Sequence, residues 1–209
     1  NENTRVKIPA ILHLCRLGYE YLPLSNAKWD GETNIFTELF TKAILRINPE
    51  MQADDVARVY QDVSLALDNE DLGQAFYEML IATSGIRLID FKDFNNNSFH
   101  VVTELNYKNG EDEFRPDVIL LINGMPLAFI EVKKPNNHDG ILAERDRINA
   151  RFKNKKFRKF VNISQILVFS NNMEYDPDSP ETIQGVFYST TSYSEANFNF
   201  FREEGDFDL

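Results

Sequence analysis

The segment from residue 117 to residue 133 constrains the fold more than any other part of the chain. An apolar run over 117–122 leads into Asn123-Gly124, and a second apolar run follows over 126–133. An Asn-Gly pair between two such runs is the strongest short-range signal for a two-residue β-hairpin turn. We therefore predict two strands that pair with each other across this turn.

Side-chain alternation along the hairpin predicts a cluster of charge at its open end. Residues two apart in a strand share a face, so Glu131 and Lys133 point the same way. Pairing back from the turn places Asp117 opposite Ile130, or opposite Glu131 if the loop has one more residue. Two carboxylates at the end of an apolar hairpin repel each other and lose hydration, so we expect a compensating cation.

Magnesium is the natural candidate for that cation, because it prefers oxygen ligands and keeps several waters. We predict Asp117, Glu131 and the Val132 carbonyl as ligands, with positions left for water and a phosphate oxygen. Such a centre suits phosphodiester hydrolysis, in which the metal polarises the phosphate and Lys133 orients water or offsets developing charge. Mn²⁺ is an expected substitute. In the alternative interpretation, Glu131 and Lys133 form a surface pair and Asp117 only caps its strand.

The rest of the chain divides into a helical part and a strand-rich part, which predicts a mixed α/β (α+β) protein. Helical periodicity predicts helices over 35–47, 53–67, 73–83 and 142–160, with Gly85 ending the third and another short helix starting at Ser194. Strands are predicted over 87–91, 99–107, 165–169 and 186–188, in addition to the hairpin. We expect a single domain with a helical layer over about 1–85 and a core over about 86–190.

Charge is unevenly distributed along the chain. The net charge of −11 argues against a nucleic-acid partner, but the window 144–159 carries eight basic residues and two acids. Such a run can attract a phosphate backbone, although basic runs are often solvated helix faces. Arg147 and Arg151 lie four apart on one helix face, and we predict that they contact DNA phosphates together with Arg145 and Lys134.

Cysteine content and hydropathy bear on the compartment. The single Cys15 excludes an internal disulfide, and the longest apolar run of the central region is too short for a membrane-spanning helix. The first residues lack the ordered regions of a signal peptide. We expect a soluble protein in a reducing cytoplasm.

Several segments resemble one nuclease family. Arg115-Pro-Asp117, followed by Glu131-Val-Lys133-Lys-Pro135, resembles the PD-(D/E)xK nuclease signature. The Asn-Gly-Met-Pro turn, the start from Arg5 to Leu14 and the stretch from Phe169 to Asn172 are similar to the N-terminal nuclease domain of the type I restriction enzyme R (motor) subunit. The resemblance implies a restriction-endonuclease-like core, in which a mixed central sheet is flanked by helices.

The same resemblance implies an activity, a cofactor and partners. These are Mg²⁺-dependent cleavage of double-stranded DNA in a complex with modification (methyltransferase) and specificity subunits, driven by an ATP-dependent motor in the same polypeptide. No Gly-Lys dipeptide occurs in the 209 residues, so this segment has no phosphate-binding P-loop. We therefore expect a fragment of a longer subunit, with ATP used only outside it.

Two family features match less well. An acid on an early helix often joins the metal site in this superfamily, and Glu38 is the best match, with Glu78 as a weaker rival. Helical geometry puts Glu38 beside the apolar stripe, as is also typical of a solvated side chain. The Gln-x-x-x-Tyr motif of many R subunits is missing from the helix after the catalytic strand. The alternatives are a catalytically silent DNA-binding or docking domain of the same fold and a stand-alone repair nuclease.

Overall fold

The computed structural model describes residues 6–134, 140–171, 185–190 and 199–200, and regular elements occupy much of these ranges. The helices are α1 (Ile8–Arg16), α2 (Thr37–Ile47), α3 (Ala53–Ala66), α4 (Gln74–Leu80), α5 (Gly140–Lys153) and α6 (Arg158–Ile163). The strands are β1 (Glu20–Tyr21), β2 (Phe99–Thr103), β3 (Tyr107–Asn109), β4 (Asp112–Phe114), β5 (Val118–Ile122), β6 (Met125–Val132), β7 (Ile166–Ser170), β8 (Val186–Ser189) and β9 (Asn199–Phe200). None of the described helices is both long and apolar enough to cross a membrane.

One mixed sheet forms the centre of the described structure. Its strand order is β1-β2-β5-β6-β7-β8-β9, and β3 pairs with β4 in a separate hairpin. Strands β2, β5 and β6 are antiparallel neighbours, whereas β6 and β7 run parallel. A parallel pair needs a long crossover connection, which here contains α5 and α6. The result is a mixed sheet with helices packed against it.

The predicted turn between β5 and β6 is confirmed. Asn123 has φ 53° and Gly124 has φ 78°, as a type I′ turn requires. The Asn123 side chain also fixes the surrounding loop, because it donates to the Leu88 carbonyl at 2.9 Å and accepts from Ser98 N at 2.9 Å. This residue therefore sets the turn and ties it to the neighbouring segments.

The register of the hairpin is the second of the two that the sequence allows. Pairing shifts by one residue between Leu120 and Leu121, and Val118 then faces Ile130. The extra residue lies within β6 as a bulge, not in the turn as the sequence analysis assumed. One further step along the ladder brings the two carboxylates at the open end opposite each other.

Two apolar clusters surround β6. The first contains Phe129 of β6 together with aromatic rings of β3, β4 and α6. The second contains Leu127 of β6 together with the inward faces of α2, α3 and α4. Strand β6 contributes to both clusters, so the helical layer is packed directly on the strand that carries the predicted site.

The predicted strand over 87–91 is wrong, because side-chain amides replace a strand partner there. Asn48 Oδ1 accepts from Arg87 N at 2.9 Å, and Asn97 Oδ1 accepts from Asp90 N at 2.9 Å. Leu88 and Ile89 are both buried although they are adjacent, whereas a strand would place them on opposite faces. The segment is an ordered loop with no strand.

Other predicted boundaries also shift. The helix expected over 142–160 is interrupted at Asn154, whose extended backbone ends α5 and whose side chain accepts from Lys156 N. The third helix ends at Leu80, well before Gly85. The strand expected over 99–107 ends at Thr103 because Glu104 has φ 58°.

Two other strands were predicted in the second half of the chain. The strands over 165–169 and 186–188 are confirmed as β7 and β8. The start of the helix predicted from Ser194 lies outside the described residues, and the described pair 199–200 is a strand.

Candidate active site

Asp117 is fixed at the open end of the hairpin by backbone contacts. Its Oδ2 accepts from Val132 N at 3.0 Å, which ties the start of β5 to the end of β6. Its carbonyl oxygen accepts from Glu104 N at 3.2 Å. The other carboxylate oxygen, Oδ1, lies 3.7 Å from Lys7 Nζ. The residue is therefore held by three separate segments of the chain, two of which contact its side chain.

Glu131 lies beside Asp117 in an electrostatically unfavourable position. Burial, followed by the nearby carboxylates of Glu144 and Asp117, raises the pKa of Glu131 to about 7, although the Lys133 ammonium opposes the shift. Lys133 Nζ lies 2.5 Å from Glu131 Oε1. The side chain of Glu131 is only 12% exposed, so water compensates little of its charge. A further cation would offset the lost hydration of Glu131 and its repulsion by the neighbouring carboxylates.

Lys133 is held as a charged group between two carboxylates. Its Nζ also lies 3.4 Å from Glu144 Oε2. Burial alone lowers the pKa of Lys133, but the carboxylates of Glu131 and Glu144 raise it and give a net upward shift. Lys133 therefore carries its proton at neutral pH and acts as a fixed positive charge.

Glu144 is a member of this cluster that the sequence analysis missed. It lies on α5 and is only 2% exposed. Its carboxylate accepts from Arg147 Nη1 at 2.8 Å and from Arg151 Nη1 at 3.4 Å, in addition to its contact with Lys133. The sequence analysis counted it as one of two acids in a basic run. Its spacing of three and seven residues from the two arginines was a signal that all three share one helix face.

The residues predicted to contact DNA differ in their exposure and in how closely other side chains hold them. Arg151 is committed to structure, because its guanidinium lies 4.1 Å from the centre of the Phe114 ring and its side chain is 19% exposed. Arg147 is 63% exposed beyond its bond to Glu144, and Lys134 lies on the surface. Arg145 is 3.1 Å from Asp146. DNA contact by these residues stays a prediction.

The C-terminal half of the basic run is paired with acids from other segments. The pairs are Lys155 and Arg158 with Glu70, Lys156 with Asp112, and Lys159 with Glu32, at 2.6 to 3.3 Å. These contacts join the α5–α6 region to the loops after helix α3 and before helix α2 and to strand β4. This half of the run therefore connects layers of the fold and does not form an unpaired positive face.

The structure does not bring Glu38 to the carboxylate pair. Phe36 N donates to the Gly124 carbonyl at 2.8 Å, so α2 begins against the turn end of the hairpin, away from Asp117. The Glu38 side chain is 64% exposed and lies 3.8 Å from Lys28. Its rival, Glu78, is exposed on α4 and accepts from Gln74. The physical reason is that α2 docks by its first turn on Asn123-Gly124.

The donor chemistry at the open end fits a divalent cation. Asp117 and Glu131 present hard oxygen donors side by side, and burial together with the carboxylates of Glu144 and Asp117 raises the pKa of Glu131 despite the adjacent Lys133 ammonium. A bound Mg²⁺ would be held by these two side chains and completed by water. Among the described residues, no group of three or more His, Cys, Asp or Glu side chains could hold a metal ion. A role for the Val132 carbonyl stays a prediction.

Comparison with known proteins gives matches along most of the chain. The sequence profile of the family described as Type I restriction enzyme R protein N terminus matches residues 1–176. The MjaIXP protein of Methanocaldococcus jannaschii, assigned as a type I restriction enzyme endonuclease subunit, is 33% identical over 90% of this chain and 20% of its own length. The HindI type I restriction enzyme endonuclease subunit of Haemophilus influenzae is 27% identical over 83% of this chain and 18% of its own length.

These matches agree with the architecture. The mixed sheet flanked by helices is consistent with a PD-(D/E)xK-like nuclease core, so the predicted fold class is confirmed. The chain spans about a fifth of the length of the relatives it matches. The family profile matches residues 1–176, and one relative is 33% identical over 90% of this chain, so the chain belongs to the type I restriction enzyme R protein N-terminal family.

Proposed function

We propose that this chain is the Mg²⁺-dependent endonuclease domain of a type I restriction enzyme and cleaves double-stranded DNA. The observation that carries the proposal is the convergence of Asp117, Glu131 and Lys133 at one end of the hairpin, with the lysine clamped at 2.5 Å from Glu131 and 3.4 Å from Glu144. A surface pair would leave these side chains exposed, whereas those of Glu131 and Lys133 are 12% and 14% exposed. Burying such charges is costly unless a function or a ligand compensates.

Each residue of the cluster has a distinct task in this proposal. Asp117 and Glu131 would hold Mg²⁺, which when bound supplies polarisation of the phosphate and a water of lowered pKa. Lys133 keeps its proton at Nζ and offsets the negative charge that develops on the phosphate in the transition state. The Val132 N–H holds Asp117 Oδ2, so that this carboxylate is oriented before any ligand arrives. Orientation in advance lowers the cost of reaching the transition state.

The family supports a proposal about the wider setting. The relatives are about five times longer than this chain and share a matching region with it, and the family is described as the N terminus of the R protein. We therefore propose that the domain works beside an ATP-driven motor in the same polypeptide. Its partners would be DNA and the modification and specificity subunits, in the cytoplasm. Cleavage would then depend on the assembled enzyme, and the recognised DNA sequence would be set outside this domain.

The decisive experiment compares R-subunit variants in the assembled enzyme on unmodified plasmid DNA. Glu131→Gln and Lys133→Gln are expected to reduce the cleavage rate by roughly 100-fold or more, the range for losing one electrostatic contact to a transition state. ATP hydrolysis and DNA modification should persist in both. Glu38→Gln is the matched control, because it removes a carboxylate that lies away from the pair and should leave cleavage unchanged.

Two results would contradict the proposal. Full cleavage by Lys133→Gln would show that the buried lysine has no part in the reaction. Calorimetric titration that finds no Mn²⁺ binding to the wild-type chain, with or without duplex DNA, would favour a silent docking domain. A single Mn²⁺ site that disappears in Glu131→Gln is the expected result.

A further inference from the structure

Lys7 is a buried lysine whose ammonium lies at the edge of the proposed metal site. It immediately precedes α1, and its side chain is only 8% exposed. Its Nζ donates to Glu104 Oε1 at 2.8 Å and lies 3.7 Å from Asp117 Oδ1. Lysines are almost never buried to this extent unless they are paired. The position of Lys7 therefore depends on these two carboxylates.

The two carboxylates are brought together by the backbone. Glu104 follows β2 with a left-handed φ of 58°, and its N–H donates to the Asp117 carbonyl at 3.2 Å. Few residue types other than Gly, Asn and Asp adopt this backbone conformation, so the surrounding structure must hold Glu104 in it. The Glu104 side chain consequently meets Lys7 on the side of Asp117 that carries Oδ1.

Asp117 thus has different neighbours at its two oxygens. Oδ2 accepts from the Val132 backbone at the end of the strand that carries Glu131, and Oδ1 lies near Lys7. An ammonium is a compact point charge with three donors. Placed between two carboxylates, it occupies a position that could otherwise attract a second divalent ion. A divalent ion arriving there would be repelled by the lysine at short range.

We propose that the Lys7 ammonium is a built-in cation between Glu104 and Asp117, so that the site takes a single divalent ion, shared by Asp117 and Glu131. This inference rests on the proposed metal-dependent function and specifies its metal stoichiometry. Lys7 is a positioning residue in this scheme, since it acts through Asp117. A lysine contributed from the very start of the chain also makes the site depend on the docking of α1.

The test counts Mn²⁺ ions bound to the 209-residue chain by calorimetry and by equilibrium dialysis. Wild-type protein should bind about one ion per chain, and Lys7→Gln about two. The second ion should bind more weakly, because Asp117 Oδ1 and Glu104 Oε1 lose their shared ammonium while Arg115 Nη1 stays 3.6 Å from Glu104 Oε2. The double variant Lys7→Gln/Glu104→Gln should return to about one ion. Lys28→Gln is the matched control, since it removes an exposed lysine that pairs with Glu38 at 3.8 Å.

The outcomes separate this inference from the proposed function. Wild-type protein that binds no Mn²⁺ overturns both. Wild-type protein that binds two ions overturns the single-ion inference alone. This count uses only the wild type, so it does not depend on the folding of any variant. One ion in the wild type together with one ion in a natively folded Lys7→Gln also overturns it, because the lysine would then not be filling a cation position. Near-ultraviolet circular dichroism checks the fold of each variant.

Discussion

Glu144 and Lys133 depend on each other because each lies where water cannot compensate its charge. Glu144 is the common partner of Lys133, which directly follows β6, and of Arg147 and Arg151 on its own helix α5. Two of these cations have little exposure of their own, at 14% for Lys133 and 19% for Arg151. The carboxylate therefore joins the crossover helix to the strand that carries the site.

We predict that Glu144→Gln destabilises the protein by about 3 kcal/mol or more, because removing one member of a buried ion-pair network leaves uncompensated charge. Urea unfolding monitored by circular dichroism measures the change. Asp146→Asn is the control on the same helix, since that side chain is 68% exposed and its loss should cost at most about 0.5 kcal/mol. Equal stability of the two variants would contradict the assigned role of Glu144.

What the sequence reveals about individual residues depends on their separation along the chain. Strand alternation and one turn are enough to bring Asp117, Glu131 and Lys133 together as a hypothesis. Lys7 and Glu104 are 97 residues apart, and no periodicity connects them. Their meeting follows from the docking of α1 beside β2, which is a tertiary contact. A pair such as Lys7 and Glu104, which meets only through tertiary packing, could not be found from local sequence patterns.

At the scale of elements, the hairpin turn has two tasks that demand glycine. Gly124 needs a positive φ of 78° for the turn itself. A Cβ at this position would also lie 2.6 Å from the Phe36 carbonyl oxygen and 2.7 Å from Phe40 N, which belong to the start of α2 and its approach. The glycine therefore permits both the turn and the close packing of a helix on it.

We predict that Gly124→Ala destabilises the protein by roughly 3 kcal/mol or more, since the left-handed conformation costs about 1 to 2 kcal/mol and the backbone contact adds to it. Gly110→Ala is the matched control, because Gly110 has φ 66° but nothing within 4 Å of the added Cβ. It should show only the conformational cost of about 1 to 2 kcal/mol. Urea midpoints of the two variants that coincide would rule out the packing contribution.

The element predictions succeeded where one local signal dominated, and they failed where side chains from elsewhere intervened or where a local signal was overlooked. The Asn-Gly turn and the periodicity of α2 and α3 are local, and they were found from the sequence. The segment 87–91 has strand-like composition, but amides of Asn48 and Asn97 bind its backbone and keep it a loop. The break at Asn154 has a local cause, which the basic composition around it concealed.

At the scale of the whole molecule, the helical layer and the sheet share their apolar contacts. The second cluster combines α2, α3 and α4 with Met125 and Leu127 of β6, and Ile163 of α6 joins it. Ion pairs of Glu32 and Glu70 with the basic run add further links, although exposed pairs contribute at most about 1 kcal/mol each. Shared apolar burial between the described parts of these regions thus supports the prediction of one domain, which itself stays a prediction.

We predict a single cooperative unfolding transition, and Trp29 provides a probe to test it. It is the only tryptophan of the chain and packs on Phe36 at 5.6 Å between ring centres, beside the first cluster. Far-ultraviolet circular dichroism reports mainly on the helices. In urea, the fluorescence and dichroism transitions should coincide, as expected of one cooperative unit.

Variants in α3 make this prediction sharper, because α3 contributes to the second cluster while Trp29 reports on the first. Val63 is fully buried, so Val63→Ala should cost about 1 to 3 kcal/mol and lower both transition midpoints equally. Leu65→Ala, in the same helix but 69% exposed, should leave both midpoints within about 0.5 kcal/mol of the wild type. If Val63→Ala moved the dichroism transition and left the fluorescence transition in place, the helical layer would be a separate folding unit.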